Sequence, residues 1–393
     1  RKMKFRSGVT VAALALLVGT ASGFSPQGVQ PRMPRSAALS PSSQSSFPLL
    51  HAASPTELGA TTLSTVNGSS SEKKPPFLLV LWRFTRPHTI IGSALAVPAL
   101  HLLAAPSFSD AFTVTNAVAL VYAMIPSLLM NLYITGLNQI TDVEIDRINK
   151  PNLPIAKGDL SPKAAVMVVA VALALSLGMG AAHPVLGSQG LNVALWGSAL
   201  LGTAYSLPPI RLKRHPLMAA LCIVAVRGVV INAGFFAHAR SAAFGVNGGT
   251  VTSVLGCLTT DPRCLLSSLF FGVFGIVIAL MKDVPDVGGD EEHNIRSFSV
   301  RVGQKGVFKS MRRLLMGLFF AFGAGFLRSA TAATAPALRA CRAGVGLASF
   351  ALGLSVREEA QPVDPEDSQQ VYEYYMHLWK LFYLSYLVLP FAR

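Results

Sequence analysis

Two clusters of carboxylates, each closing a long apolar run, carry the chemistry this chain is equipped to do. The first is Asn138-Gln-Ile-Thr-Asp142-Val-Glu-Ile-Asp146, in which Asn138, Asp142 and Asp146 recur every four residues. On a helix that spacing makes one polar stripe. Glu144 falls off the stripe and reads as a surface acid. The second cluster is Lys282-Asp283-Val-Pro-Asp286-Val-Gly-Gly-Asp290, where the glycine pair reads as a turn that swings Asp290 back. Carboxylates at the mouth of a membrane helix are costly unless a cation or water meets them. Two such clusters facing each other suit a site for hard divalent cations such as Mg²⁺, which takes oxygen ligands and bridges to substrate phosphates.

Basic residues near these clusters fit the same picture. Arg86, Lys150, Lys213 and Arg214 are placed to neutralise phosphate oxygens, arginine as a fork and lysine as a point charge. Lys282 adjoins the second cluster, where it either pairs with an acid or meets substrate. Tyr205 either faces the reacting group or belongs to an interfacial aromatic belt. With apolar helices behind them, these groups fit a ligand with a diphosphate head and a lipid tail. Metal and preplaced cations make diphosphate a good leaving group. An allylic cation left behind needs a closed pocket, and an electron-rich ring captures it. That is prenyl transfer.

The elements that position these residues are membrane helices. The chain has 393 residues, 51% of them hydrophobic and only 13% charged, about half the charge of a soluble domain. Its net charge of +14 is concentrated in short loops, the pattern of the positive-inside rule rather than of nucleic-acid binding. Nine apolar runs are long enough to span, near 79–104, 112–137, 163–182, 189–207, 216–239, 265–282, 310–328, 336–356 and 371–391. The seventh and eighth are interrupted by Arg328, Arg339 and Arg342, and the aromatic-rich ninth suits an interface. Phe270, Phe271, Phe319 and Phe320 are expected to face lipid rather than to line a tail pocket, and Asn232 to bond between helices. Charge topology puts both acidic clusters and the basic segment from Tyr205 to Arg214 on one face. The fold class expected is all-α: a multi-pass membrane protein of about nine transmembrane helices around a central cavity.

Ahead of this domain, which is taken as 76–393, the chain reads as two targeting segments. Residues 1–23 have a basic start, a short apolar stretch and small residues before Phe24, as in a signal peptide. Residues 24–75 are rich in Ser, Pro, Ala and Thr and almost free of acid, as in a plastid transit peptide. Together they resemble the bipartite presequence of secondary plastids. The four cysteines have no metal-ligand spacing. Cys257 and Cys264 would pair only in an oxidising lumen.

The two acidic motifs resemble the signature pair of the UbiA family of intramembrane prenyltransferases. Arg83-Phe-Thr-Arg86-Pro-His, Asn149-Lys-Pro-Asn-Leu-Pro-Ile-Ala, Tyr205-Ser-Leu-Pro-Pro-Ile-Arg-Leu-Lys213-Arg and Ile295-Arg-Ser-Phe-Ser resemble its homogentisate prenyltransferase branch. The resemblance covers roughly 78–392 and implies nine helices capped by the two Asp loops. It implies a metal site of Asp142, Asp146, Asp286 and Asp290 with Asn138, assisted by Asp283. It further implies that Arg86, Lys150, Lys213, Arg214 and Lys282 hold the diphosphate; His88 either meets the aromatic acid or is a buried histidine with its hydrogen bonds satisfied. The expected reaction joins a phytyl or geranylgeranyl group to homogentisate, with loss of diphosphate and CO₂, in tocopherol biosynthesis in a plastid membrane. The expected partners are these two substrates and the lipid bilayer, with no nucleic acid and no obligate protein partner. Alternatives are a solanesyltransferase of plastoquinone synthesis, towards which Leu153-Pro-Ile-Ala leans, another UbiA-type enzyme such as a chlorophyll synthase, or an ion-coupled transporter. A transporter would place charges near mid-helix and break its helices, whereas the acids here lie at helix ends with basic loops beside them.

Overall fold

The computed structural model describes residues 75–245, 252–292 and 297–393. The expected targeting segments, apart from Pro75, lie outside these residues, as do Ile295 and Arg296. Within them the regular elements are all helical. The long ones are α2 (Pro87–Ala104), α3 (Val114–Thr141), α5 (Pro162–Ala181), α6 (Gln189–Ser206), α7 (Pro216–Ala242), α8 (Pro262–Lys282), α10 (Gln304–Thr331), α11 (Pro336–Ala360) and α12 (Ser368–Val388). Short helices α1 (Phe77–Phe84), α4 (Val143–Asn149) and α9 (Val287–Glu292) belong to the site. Seven of the nine long helices are long and apolar enough to cross a bilayer by length and composition. The other two are α6 and α12, which carry more polar side chains.

Helix starts follow from local chemistry. Thr113, Ser161, Ser188 and Asp367 accept hydrogen bonds from the first-turn amides of α3, α5, α6 and α12, satisfying donors that have no partner within the helix. Proline opens α2, α5, α7, α8 and α11, where its missing N–H costs nothing. The arginines that interrupted the seventh and eighth apolar runs lie at helix ends. Arg339 donates to the Ala333 carbonyl and Arg342 to those of Ser329 and Arg393.

Three expectations change. The first apolar run is not one helix, because Pro87 disfavours helical geometry at the residue before it. The chain breaks at Arg86, whose φ is 50°, and restarts as α2. The aromatic residues of α12 are not an interfacial belt: Tyr374, Tyr375, Trp379, Phe382 and Tyr386 are buried. Phe270, Phe271 and Phe319 are likewise core rather than lipid-facing, with Phe271 stacked on Tyr386 at 3.8 Å between ring centroids. These rings interlock α8, α10 and α12 edge to face, an arrangement favoured by the ring quadrupole. No disulfide joins the four cysteines.

Candidate active site

The break between α1 and α2 puts Arg86 in the site. Phe84, the last residue of α1, is fully buried. It fits against Gly136 of α3, where an added Cβ would come within 2.8 Å of its ring. Gln139 Nε2 then donates to the Phe84 carbonyl at 2.7 Å, so the motif residue beside Asn138 holds the broken helix end rather than a ligand. Arg86 follows in the left-handed region and reaches Asp146, with Nη2 to Oδ2 at 3.6 Å.

The first acidic motif is not one continuous helix. It kinks at Asp142, whose φ is −119° and which ends α3 and starts α4. Arg211 accounts for the kink: its Nη2 donates to the Thr141 carbonyl at 3.3 Å and to Asp142 Oδ1 at 2.7 Å. Lys213 takes the other oxygen of Asp142. Asn138 donates to Asp142 Oδ2 at 3.0 Å, so the four-residue spacing survives as a contact. In this geometry Asn138 orients Asp142. Arg211, like Arg86, has a positive φ, 37°, and such strain in a non-glycine residue persists only where surroundings enforce it.

The second motif docks onto the first. Lys150, just past α4, pairs with Asp286. The Gly289 N–H donates to Asn149 Oδ1 at 3.1 Å. Gly288-Gly289 is therefore no turn but part of α9, and Gly289 allows the close approach. A Cβ there would lie 2.3 Å from Asn149 Oδ1. Lys282 Nζ stands 3.4 Å from Asp283 Oδ1.

One cleft results. Its lining includes Arg86, Asn138, Asp142, Asp146, Lys150, Tyr205, Lys213, Lys282, Asp283, Asp286 and Asp290. Ala219, Ala220, Ile223, Ala279 and Leu280 of α7 and α8 form its apolar wall. Asn149 and Ser297 also line it; both lie in segments that resemble the homogentisate branch, but the sequence reading gave neither a role. Two expected ligand-binding residues are elsewhere. Arg214 is exposed, because the short helical turn Leu212–Arg214 points Lys213 inward and its neighbour out; Arg211 takes its place. His88 does not line the cleft but packs against Trp379, with ring centroids 5.2 Å apart. Asn232 bonds back to the Arg227 carbonyl of its own helix and also reaches Tyr386. Glu144 is exposed and pairs with Arg147 at 2.8 Å.

Electrostatics divides the carboxylates. Burial pushes the Asp142 carboxyl up, but Lys213 and Arg211 together outweigh it and hold it below the usual range. Burial raises Asp146 despite Arg86 and Lys150. Asp290 is pushed up to about 7 by burial, with Asp283 and Asp286 adding to it. Burial lowers Lys213 to about 8, only partly offset by Asp142. The donor set is entirely oxygen, as a hard cation requires, and Asp146 Oδ2 is buried without a hydrogen bond. Among the described residues no three acidic side chains already enclose a single point. That fits an ion held by one or two carboxylates and completed by phosphate and water.

Residues 89–381 match the UbiA prenyltransferase family. The chain belongs to that family. It is 38% identical over 330 residues to probable homogentisate phytyltransferase 1 of Oryza sativa, covering 83% of this chain and 76% of that one. It is 37% identical over 329 residues to homogentisate phytyltransferase 1 of Arabidopsis thaliana (82% and 78%). It is 37% identical over 312 residues to homogentisate phytyltransferase of Synechocystis (79% and 94%). Its fold matches a UbiA homolog from Archaeoglobus fulgidus bound to DMAPP and Mg²⁺, with a TM-score of 0.52 and 15% identity over 79% of this chain and 98% of that one. The transporter alternative loses its footing, since no acidic residue lies within α2, α3, α5, α6, α7 or α8.

Proposed function

We propose that this prenyltransferase moves a phytyl or geranylgeranyl group from its diphosphate to homogentisate, with loss of diphosphate and CO₂, in a plastid membrane. The observation that carries it is the convergence of two acidic motifs and four cations, Arg86, Lys150, Lys213 and Lys282, over one apolar-walled cleft, with Arg211 behind Asp142. The acceptor reading is supported by relatives named homogentisate phytyltransferase, and the plastid reading by those named chloroplastic.

Asp142 and Asp146 on one side, and Asp286 and Asp290 on the other, would hold Mg²⁺, with Asp283 beside them and Asn138 setting the rotamer of Asp142. Bound there, Mg²⁺ supplies charge to stabilise the departing diphosphate. Arg86, Lys150, Arg211 and Lys213 now lean on the carboxylates. As those charges become shared, the same side chains turn to phosphate oxygens and keep them in place as charge develops. Tyr205 lines the cleft within electrostatic reach of Lys282, Asp283 and Asp142, where it would face the diphosphate or the reacting carbon. The apolar wall of α7 and α8 takes the first isoprene units and keeps water from the allylic carbon.

The test is release of diphosphate and CO₂ by protein reconstituted in lipid with Mg²⁺, homogentisate and phytyl diphosphate. Geranylgeranyl and solanesyl diphosphates and chlorophyllide complete the panel. Asp142→Asn and Asp286→Asn are each expected to lose at least about 100-fold in turnover while still inserting. Turnover of chlorophyllide but not homogentisate would overturn the acceptor, and full activity in either variant would overturn the site.

A further inference from the structure

Arg227 sits in the middle of α7, within the apolar bundle, and forms none of the ion pairs among the described residues. Its ionisable neighbours are the hydroxyls of Tyr375, Tyr383 and Tyr386 and the imidazole of His88. A guanidinium at membrane depth is expensive and marks a functional site whose partner has to be found. The chain goes to some length to place it. Residues Ala225–Ile231 form a π-helical segment, a distortion that recurs at functional sites. On α8, Gly275 leaves room for the arginine stem, since a Cβ there would lie 3.2 Å from Arg227 Cδ. The guanidinium carbon lies 5.2 Å from the Trp379 ring and 5.1 Å from that of Phe382. These aromatic faces offset part of the desolvation and leave the fork of donors uncommitted to any acid.

Arg227 opens into a second cavity, lined also by Ser93, Ser127, Asn131, Ser198 and Tyr386. The rest of the lining is apolar, from residues such as Val97, Ile134, Leu195 and Phe235, so these groups are the polar part of an otherwise apolar space. Asn131 already bonds Ser93 and Thr89 at 3.2 Å. The cavity lies close beneath the carboxylate cleft. Arg227 is one turn along α7 from Ile223, and Asn131 is two turns along α3 from Asn138, which is about 6 and 10 Å at 1.5 Å per residue. Both Ile223 and Asn138 line the cleft.

We infer that Arg227 binds the carboxylate of the aromatic acceptor, with Ser93 and Asn131 available to its ring hydroxyls, so that the ring lies under the allylic carbon. The inference rests on the homogentisate reading above and adds a binding residue that orients the acceptor. Its charge is cancelled when the acid arrives, which makes an acidic acceptor preferable to a neutral one of the same shape.

The experiment uses the full chain in lipid nanodiscs with Mg²⁺ and a non-ionisable diphosphate analogue, measuring Kd for homogentisate and for its methyl ester. Wild type is expected to bind the acid about 10- to 100-fold more tightly, the range for losing a charged hydrogen-bonded pair. Arg227→Gln should erase that preference, Arg227→Lys should restore part of it, and the Kd for the diphosphate analogue should stay within about twofold in both. Equal binding of acid and ester by wild type would overturn the inference, a result that needs no variant to fold. So would an unchanged preference in Arg227→Gln. If wild type bound or turned over no homogentisate, the proposed function itself would fall instead.

Discussion

Gly289→Ala puts the convergence of the two acidic motifs to a direct test. The new Cβ would lie 2.3 Å from Asn149 Oδ1 and 2.7 Å from its Cγ, so one side must retreat by roughly 1 Å to reach ordinary contact. If α9 retreats, Asp290 and Asp286 leave their places, and a displacement of that size costs about 100-fold in turnover. If Asn149 swings away instead, the bond to the Gly289 N–H is lost, at about 1–3 kcal/mol, or roughly 5- to 150-fold. Both routes predict a loss, of about 100-fold by the first and about 5- to 150-fold by the second. Helix propensity alone predicts the opposite sign, because alanine inside a helix is worth about 1 kcal/mol over glycine. The assay is diphosphate release against Mg²⁺ concentration for Gly289→Ala, Asn149→Ala and the double variant. Removing the Asn149 side chain removes the obstacle, so the double variant is expected to match Asn149→Ala alone. If the two single losses simply multiplied in the double variant, the steric reasoning would be refuted.

Arg211 and Arg214 are separated by three residues, yet only Arg211 reaches Asp142. Arg211→Ala is expected to raise the KM for the prenyl diphosphate about tenfold or more, whereas Arg214→Ala should stay within twofold of wild type; steady-state kinetics on both variants decides it. For pH, the sign follows from Asp290, whose carboxyl is raised to about 7 by burial and neighbouring acids. Below that value a proton competes with metal, so Mg²⁺ affinity is expected to fall by up to about tenfold per unit as pH drops under 7 and to level off above it. Titrating Mg²⁺ against pH in wild type and Asp290→Asn checks this, because the variant should lose most of the slope. Chelation with EDTA should abolish turnover, and added Mg²⁺ should restore it.

Much of this architecture was readable from residue order. Apolar runs and the spacing of Asn138, Asp142 and Asp146 are local properties, and the runs reappear as nine long helices while both acidic motifs close theirs. The local reading erred where a single residue interrupts periodicity. Pro87 splits the first run at Arg86, and Asp142 kinks the stripe because Arg211 takes the carbonyl of Thr141. Periodicity also cannot tell a lipid-facing aromatic from a core one. Phe271 and Trp379 are as apolar on paper as Phe77 or Trp82, yet the first two are buried and the others exposed.

The sequence by itself determined the membrane class, the approximate number of long helices and the closing of two of them by acidic motifs, since each is a property of neighbouring residues. Tertiary structure decided which cation serves which acid. Lys150 meets Asp286 across 136 positions and Arg211 meets Asp142 across 69. Such pairings depend on how helices lean on one another, through contacts like Gly289 on Asn149 and Phe84 on Gly136. Arg227 shows the division most clearly. Its charge lies in an apolar run that the sequence reading passed over, and only the packed bundle reveals that no acid among the described residues pairs with it and that it lines a cavity with Ser93 and Asn131.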